Sequence, residues 1–118
     1  PDDGEAGIKY LYHYLDKHLL VRAEQFLNKY LYFLEDYGYD LIPDLKCRIM
    51  TSKWGVCYTR KNLICISSYL VHYPLKCLEY IMIHEMTHFL IPNHSKRFYD
   101  IIRNKMPDYK EVVATLKL

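Results

Sequence analysis

Three of the six histidines in this 118-residue chain lie in one short stretch, HEMTHFLIPNH, at positions 84–94. His84 and His88 are four residues apart, which on a helix places both imidazoles on one face, one turn apart. Two imidazoles with this spacing can converge on a single metal ion. Glu85 follows His84 directly and projects at a different angle, so it can act as a general base beside the ion without binding it.

A catalytic tetrahedral site needs a third protein ligand and one open position, and His94 can supply that ligand. Pro92 and Asn93 break the helix after His88, so the chain can turn back toward the ion. The chemistry that this arrangement predicts is metal-assisted hydrolysis of an amide, most simply a peptide bond, with Glu85 moving the proton. One zinc ion per chain is the expected cofactor, although three nitrogen ligands also accept cobalt, nickel or iron.

A structural interpretation of the same residues competes with this one. His84 and His88 would then be ordinary half-buried side chains beside an apolar stripe, with no ligand between them. The third histidine at a suitable position favours the metal site. The remaining histidines, His13, His18 and His72, are expected at the surface.

The elements around these residues predict an α+β fold. Residues 8–37 contain no glycine or proline and carry apolar residues at helical spacing, which predicts one long N-terminal helix or two shorter ones, ended by Gly38. Strand-like segments near 45–50, 54–58 and 63–67 predict a small antiparallel sheet of about three strands. The polar turn TRKN closes a hairpin between the last two, and 63–67 is expected to be an edge strand that could hold an extended peptide.

Three further helices are expected in the second half of the chain. The first runs between Pro74 and Pro92 and carries the histidines. The second begins near Ser95, a good N-cap residue, and is ended by Pro107. A short helix, DYKEVVATLKL, closes the chain. The predicted sheet would pack on the long N-terminal helix and on the active-site helix.

Composition indicates one globular domain at residues 8–118, preceded by a flexible lead at 1–7 that lacks a signal-peptide pattern. No apolar run approaches the roughly 18 residues needed to span a bilayer, so no membrane association is expected. The four cysteines form no C-x-x-C pair, which disfavours a thiolate zinc site or a redox motif. An even count would also allow disulfides, but the absence of a secretion signal and a core large enough to fold without them favour reduced thiols in a cytoplasmic protein. A net charge of +2 is too small to argue for nucleic-acid binding.

Four motifs together resemble the YgjP-like family of predicted zinc metallopeptidases. In chain order these motifs are SKWGVC at 52–57, HEMTH at 84–88, NHSKRF at 93–98 and PDYK at 107–110. The resemblance covers about residues 45–115, and the family is related in architecture to SprT-like proteases and to minimal gluzincin-type domains. The implied fold is zincin-like. Lys53, Val56 and Tyr58 depart from the residues usual in the family, and none of these changes touches the metal site.

The resemblance implies a role for each matching residue. His84, His88 and His94 would be zinc ligands, and Glu85 the catalytic acid and base. Asn93 and Ser95 would shape the loop that presents the third histidine. Trp54 and Gly55 would form the hairpin against the active-site helix.

The leading hypothesis is therefore a zinc-dependent metallopeptidase whose partner is a peptide or protein substrate. A metal-binding module without catalysis is an alternative, which the presence of Glu85 disfavours because a structural site needs no base. A nucleic-acid-associated protease, by analogy with the SprT-like group, is a third, and salt-dependent binding to single-stranded DNA would test it. The oligomeric state cannot be inferred from the sequence.

Overall fold

A long helix, a three-stranded sheet and three shorter helices follow one another along the chain. The computed structural model describes residues 4–116. The helices and strands are α1 Gly4–Asp36, β1 Asp44–Arg48, β2 Gly55–Tyr58, β3 Leu63–Ser67, α2 Leu75–Thr87, α3 Lys96–Lys105 and α4 Tyr109–Leu116. Short 3₁₀ turns at Thr59–Lys61 and Ser68–His72 flank β3. The predicted α+β class is confirmed.

Helix α1 is one continuous helix, and it ends where the sequence predicts. Gly38 has φ +92°, a left-handed conformation that glycine adopts without strain, and its N–H bonds back to the carbonyl of Glu35. Only the second half of α1 contributes to the core. Its buried residues are Leu19, Ala23, Leu27, Tyr30, Phe33 and Leu34.

The start of α1 differs from the expected flexible lead at 1–7. The structure places residues 4–7 in the helix, and residues 1–3 lie outside the described part of the chain. Glu5 pairs with Lys9 one turn later, with Nζ 3.5 Å from the carboxylate, and its charge lies at the positive end of the helix dipole. These local interactions favour a helix that begins before residue 8, where the apolar pattern starts.

The three predicted strands form, but their order makes the sheet mixed. Strand β2 pairs antiparallel with β3, which is the predicted hairpin. Strand β1 pairs parallel with β3, so the expectation of a wholly antiparallel sheet was wrong for this pair. The order is β1-β3-β2, because the segment at 49–54 carries the chain past β3 to its other side.

Strand β3 is the centre of the sheet and cannot be the edge strand that the sequence suggested at 63–67. Both of its sides are hydrogen-bonded within the sheet, and residues 64–67 are all buried. An added peptide strand has no free backbone groups to pair with there. Strand β2, which lies against α2, is the edge that remains on this side of the sheet.

Helix α2 is the most buried of the described helices, with ten of its thirteen residues inside the protein. It contacts both α1 and the sheet, and α3 and α4 pack on its remaining sides. Pro74 precedes its first residue. None of the helices within residues 4–116 is long and apolar enough to cross a membrane.

All four cysteine thiols are free. Burial raises the pKa of Cys47 to about 12, and it does the same for Cys57. Both therefore stay protonated at neutral pH and are poor metal ligands.

A buried carboxylate joins α2 to α1. Glu79 is 9% exposed, and Tyr30 Oη donates a hydrogen bond to its Oε2 at 2.5 Å. Burial raises the pKa of Tyr30 to about 12, so its hydroxyl keeps the proton that it donates. Lys29 Nζ adds a second bond to the same oxygen at 2.9 Å from a largely exposed position.

We expect Tyr30→Phe to destabilise the fold by about 1–3 kcal/mol, because it leaves a buried acceptor without its buried donor. Lys29→Ala is the matched control and should cost less than about 1 kcal/mol, since its ammonium is solvated. Urea unfolding followed by circular dichroism gives both values. A larger loss for Lys29→Ala than for Tyr30→Phe would contradict this account.

Candidate active site

The predicted ligands converge in the structure. His84 and His88 lie at the C-terminal end of α2, and His94 lies two residues before α3. One ring nitrogen of each histidine can be chosen so that all three lie within 4.8 Å of one another. The three ring centroids are 4.9–5.1 Å apart.

The turn between α2 and α3 is held by short-range hydrogen bonds. The backbone N–H of Ile91 donates to the carbonyl of Thr87 at 2.9 Å, which closes the last turn of α2 before Pro92. Ser95 caps α3, its Oγ accepting from the N–H of Phe98 at 3.4 Å. Asn93 is exposed in the bend between them. The hydrogen bonds that define this reversal thus lie within the twelve residues 87–98.

The tautomer of His88 follows from its hydrogen bond. Its Nδ1 lies 3.2 Å from the carbonyl oxygen of Ile91, and a carbonyl oxygen only accepts. Nδ1 therefore carries the proton, and Nε2 keeps a free lone pair. Burial lowers the pKa of His88, which favours this neutral form. The lone pair is directed at the Nε2 of His94, 3.1 Å away.

The spacing of these nitrogens fits a metal ion. Ligands about 2.1 Å from a tetrahedral zinc lie about 3.4 Å from one another. The 3.1 Å between Nε2 of His88 and Nε2 of His94 is close to that value. A ring nitrogen of His84 lies within 4.8 Å of a ring nitrogen of each of the other two histidines. Three imidazole nitrogens are also a donor set that zinc prefers. The residues present can therefore hold the ion.

A single phenyl ring supports all three histidines. Phe98 is completely buried, and its ring centroid lies 5.0, 4.7 and 5.0 Å from those of His84, His88 and His94. Helical periodicity indicates only that Phe98 is a core residue. The signal that could have identified its contact with the histidines is its place in the NHSKRF motif, four residues after His94.

Glu85 lies beside the cluster without joining it. It is 5% exposed, and its Oε2 lies 3.0 Å from Nδ1 of His84. Gly55, at the start of β2, lies directly against it. A Cβ at this glycine would come within 3.0 Å of Glu85 Cγ and 2.9 Å of Ile81 Cγ2. The hairpin can approach α2 this closely because position 55 has no side chain.

A pocket of about 270 Å³ opens beside Glu85 and His84. Trp54, Gly55 and Tyr80 line it, together with residues of α4. Trp54 is half-buried, and its indole meets the ring of Tyr73 edge-on at 4.9 Å. Trp54 thus packs against the segment that precedes α2, and it is at the same time a wall of the pocket.

The other three histidines lie away from the cluster, at exposed positions. His72 Nε2 forms a hydrogen bond with Tyr12 Oη at 2.7 Å, and His18 packs edge-on against Tyr14. His13 is exposed on α1.

Comparison with known families assigns the chain to a metallopeptidase family. The profile of the YgjP-like family, described as "YgjP-like, metallopeptidase domain", matches residues 4–118, and the chain belongs to this family. The match extends over the whole described structure. A search of curated proteins finds no match.

Solved structures share the fold at low sequence identity. The metallopeptidase zymogen of Methanocaldococcus jannaschii jannalysin is 20% identical, with a TM-score of 0.65 over 80% of this chain and 92% of that one. The metallopeptidase zymogen of Pyrococcus abyssi abylysin is 19% identical, with a TM-score of 0.63 over 76% of this chain and 87% of that one. At these identities the likeness concerns the fold.

We expect Gly55→Ala to lower peptidase activity at least about tenfold while metal content is kept, because the added methyl meets Ile81 and Glu85 as its nearest neighbours and displaces the Glu85 side chain. Gly7→Ala is the matched control, since nothing lies within 4 Å of a Cβ at that position. Activity and metal content are measured on the same preparations. Unchanged activity in Gly55→Ala would show that Glu85 is not held by this contact.

We expect Phe98→Leu to weaken metal affinity about 10- to 100-fold, as changes behind metal ligands commonly do, because the support of the imidazoles is lost. Phe33→Leu is the control for general destabilisation. Phe33 is equally buried but lies in α1, so it should lower stability without changing affinity. Competition with a fluorescent chelator gives the affinities. Equal effects of the two variants would contradict a supporting role for Phe98.

Proposed function

We propose that this chain is a zinc-dependent peptidase that hydrolyses peptide bonds, with His84, His88 and His94 holding one zinc ion and Glu85 acting as general base. The observation that carries the proposal is the convergence of three imidazole nitrogens beside a buried carboxylate. Membership of a metallopeptidase family supports the same reaction class.

Glu85 is the group that moves the proton. When bound, zinc supplies a Lewis acid that polarises the scissile carbonyl and makes a coordinated water more acidic. The carboxylate of Glu85 accepts the proton of the attacking water and then donates it to the nitrogen of the leaving amine. Its burial keeps competing solvent away, and the contact with Gly55 limits the positions that the carboxylate can take.

Zinc is proposed over other divalent ions because of the ligands. Neutral imidazoles in a compact set suit a four-coordinate ion with one position left open. Cobalt, nickel or iron would bind the same nitrogens, and availability decides among them.

The substrate is proposed to bind in extended form along β2. This strand has one edge paired with β3, and Gly55 at its start lies against Glu85. A peptide added to the outer edge of β2 would run past the carboxylate and the histidines, held by main-chain hydrogen bonds. Strand β2, and not residues 63–67 as the sequence suggested, is therefore the proposed docking strand.

The proposed location is the cytoplasm, on the basis of the cysteines. Four free thiols, none paired in a disulfide, are typical of a protein that works in a reducing compartment.

Two substitutions separate metal binding from catalysis. His94→Ala is expected to lose most of its zinc, because two ligands remain. Glu85→Gln is expected to keep about one zinc per chain and to lose activity about 10²- to 10⁴-fold, because the amide cannot accept the proton. Elemental analysis gives the metal content, and cleavage of a peptide mixture followed by mass spectrometry gives the activity.

His13→Ala is the control, since this histidine is exposed on α1 and far along the chain from the cluster. It should retain both zinc and activity. A zinc content in His94→Ala equal to that of the unchanged protein would remove His94 from the site. Activity unaffected in Glu85→Gln would end the general-base assignment.

A further inference from the structure

A second and larger pocket lies next to the one that contains Glu85. It measures about 570 Å³ and shares two wall residues, Trp54 and Leu116, with the active-site pocket. The two pockets therefore open on either side of the same indole and leucine side chains. Whatever occupies the first pocket has a neighbouring cavity within reach.

The walls of this second pocket are aromatic, with a cation at its rim. Trp54, Tyr69 and Tyr73 supply the ring surfaces, and Lys53 is the formally charged side chain among the lining residues. Lys53 is exposed, and none of the described lining residues is an aspartate or glutamate. The pocket is thus suited to an occupant with an apolar stem and a negative end.

The pocket also lies where an extended substrate would pass. Trp54 and Lys53 directly precede β2, so a peptide along the outer edge of that strand leads from Glu85 toward them. Side chains on one face of an extended peptide recur about every 6.6 Å. A side chain near the scissile bond and one two residues further along can therefore enter adjacent pockets.

We propose that this second pocket is a specificity subsite that takes an acidic side chain of the peptide substrate, with Lys53 meeting its carboxylate. The proposal rests on the proposed peptidase function, because it assigns the substrate class of that same site. Trp54 and the two tyrosines contact the stem of the side chain. The preference for a negatively charged side chain depends on Lys53 alone, and the charge at this position can be reversed by substitution.

The test compares peptides that differ at one position. Cleavage of a mixture of end-blocked decapeptides, read by mass spectrometry, gives the preferred residue at each position. Matched peptides with Glu, Gln or Lys at the selected position then give kcat/KM. The unchanged protein should prefer Glu over Lys about twofold to fivefold, the range that one solvent-exposed ion pair supplies.

Lys53→Glu should reverse this preference by a similar factor, and Lys46→Glu is the matched control. Lys46 is exposed on β1 and does not line the pocket, so its reversal makes the same change in net charge. The control should keep the preference for Glu. Equal cleavage of the three peptides by the unchanged protein would overturn the subsite, and so would equal effects of the two charge reversals.

A binding measurement separates failure of the subsite from failure of the peptidase function. Trp54 is the one tryptophan of the chain and a wall of both pockets, so its fluorescence reports occupancy without turnover. Zinc-loaded Glu85→Gln is titrated with the same three peptides. Tighter binding of the Glu peptide that Lys53→Glu abolishes supports the subsite even if no peptide is cleaved. Cleavage or binding without any charge preference refutes the subsite and leaves the peptidase proposal intact.

Discussion

Helix α2 must be buried on nearly every side and still carry ionisable side chains that water would otherwise solvate. Burying a carboxylate is costly unless a specific partner meets it, so each one restricts how α2 can sit. Glu79 is met by Tyr30 of α1, and Glu85 lies against Gly55 of the sheet and beside His84. These contacts come from two different sides of the helix. Together the two contacts fix the rotation of α2 and its position along its own axis. They thereby also fix the positions of the histidines that α2 carries.

The same packing that forms the core also orients the candidate ligands. Phe98 is a core residue by burial, yet its ring contacts all three imidazoles. The carbonyl oxygen of Ile91 accepts a hydrogen bond from Nδ1 of His88 and so keeps the proton on that nitrogen. The N–H of Ile91 donates to the carbonyl of Thr87 and closes the end of α2. Hydrogen bonds and packing contacts behind metal ligands fix the tautomer and the ring orientation of those ligands. The site is therefore an extension of the core, and its geometry should be as well defined as the packing beneath it.

What the sequence predicts well is local, and what it misses joins distant parts of the chain. The pair His84 and His88 follows from helical periodicity, and the return of His94 follows from Pro92 and the Ser95 cap, all within twelve residues. The end of α1 at Gly38 has the same origin. The parallel pairing of β1 with β3 leaves no trace in the pattern of either strand, because alternation does not encode a partner. The bond from Tyr30 to Glu79 spans 49 residues and is equally invisible.

The proposed ion would link only a short segment of the chain. The three ligands all lie within residues 84–94, so the ion would join no distant parts of a chain that an extensive core already holds together. Structural zinc sites that drive folding instead serve domains too small to bury such a core. In this chain the metal would complete a site that the fold has already arranged. Selection on the histidines would then act through catalysis, and selection on Phe98 and Gly55 through the geometry that catalysis requires.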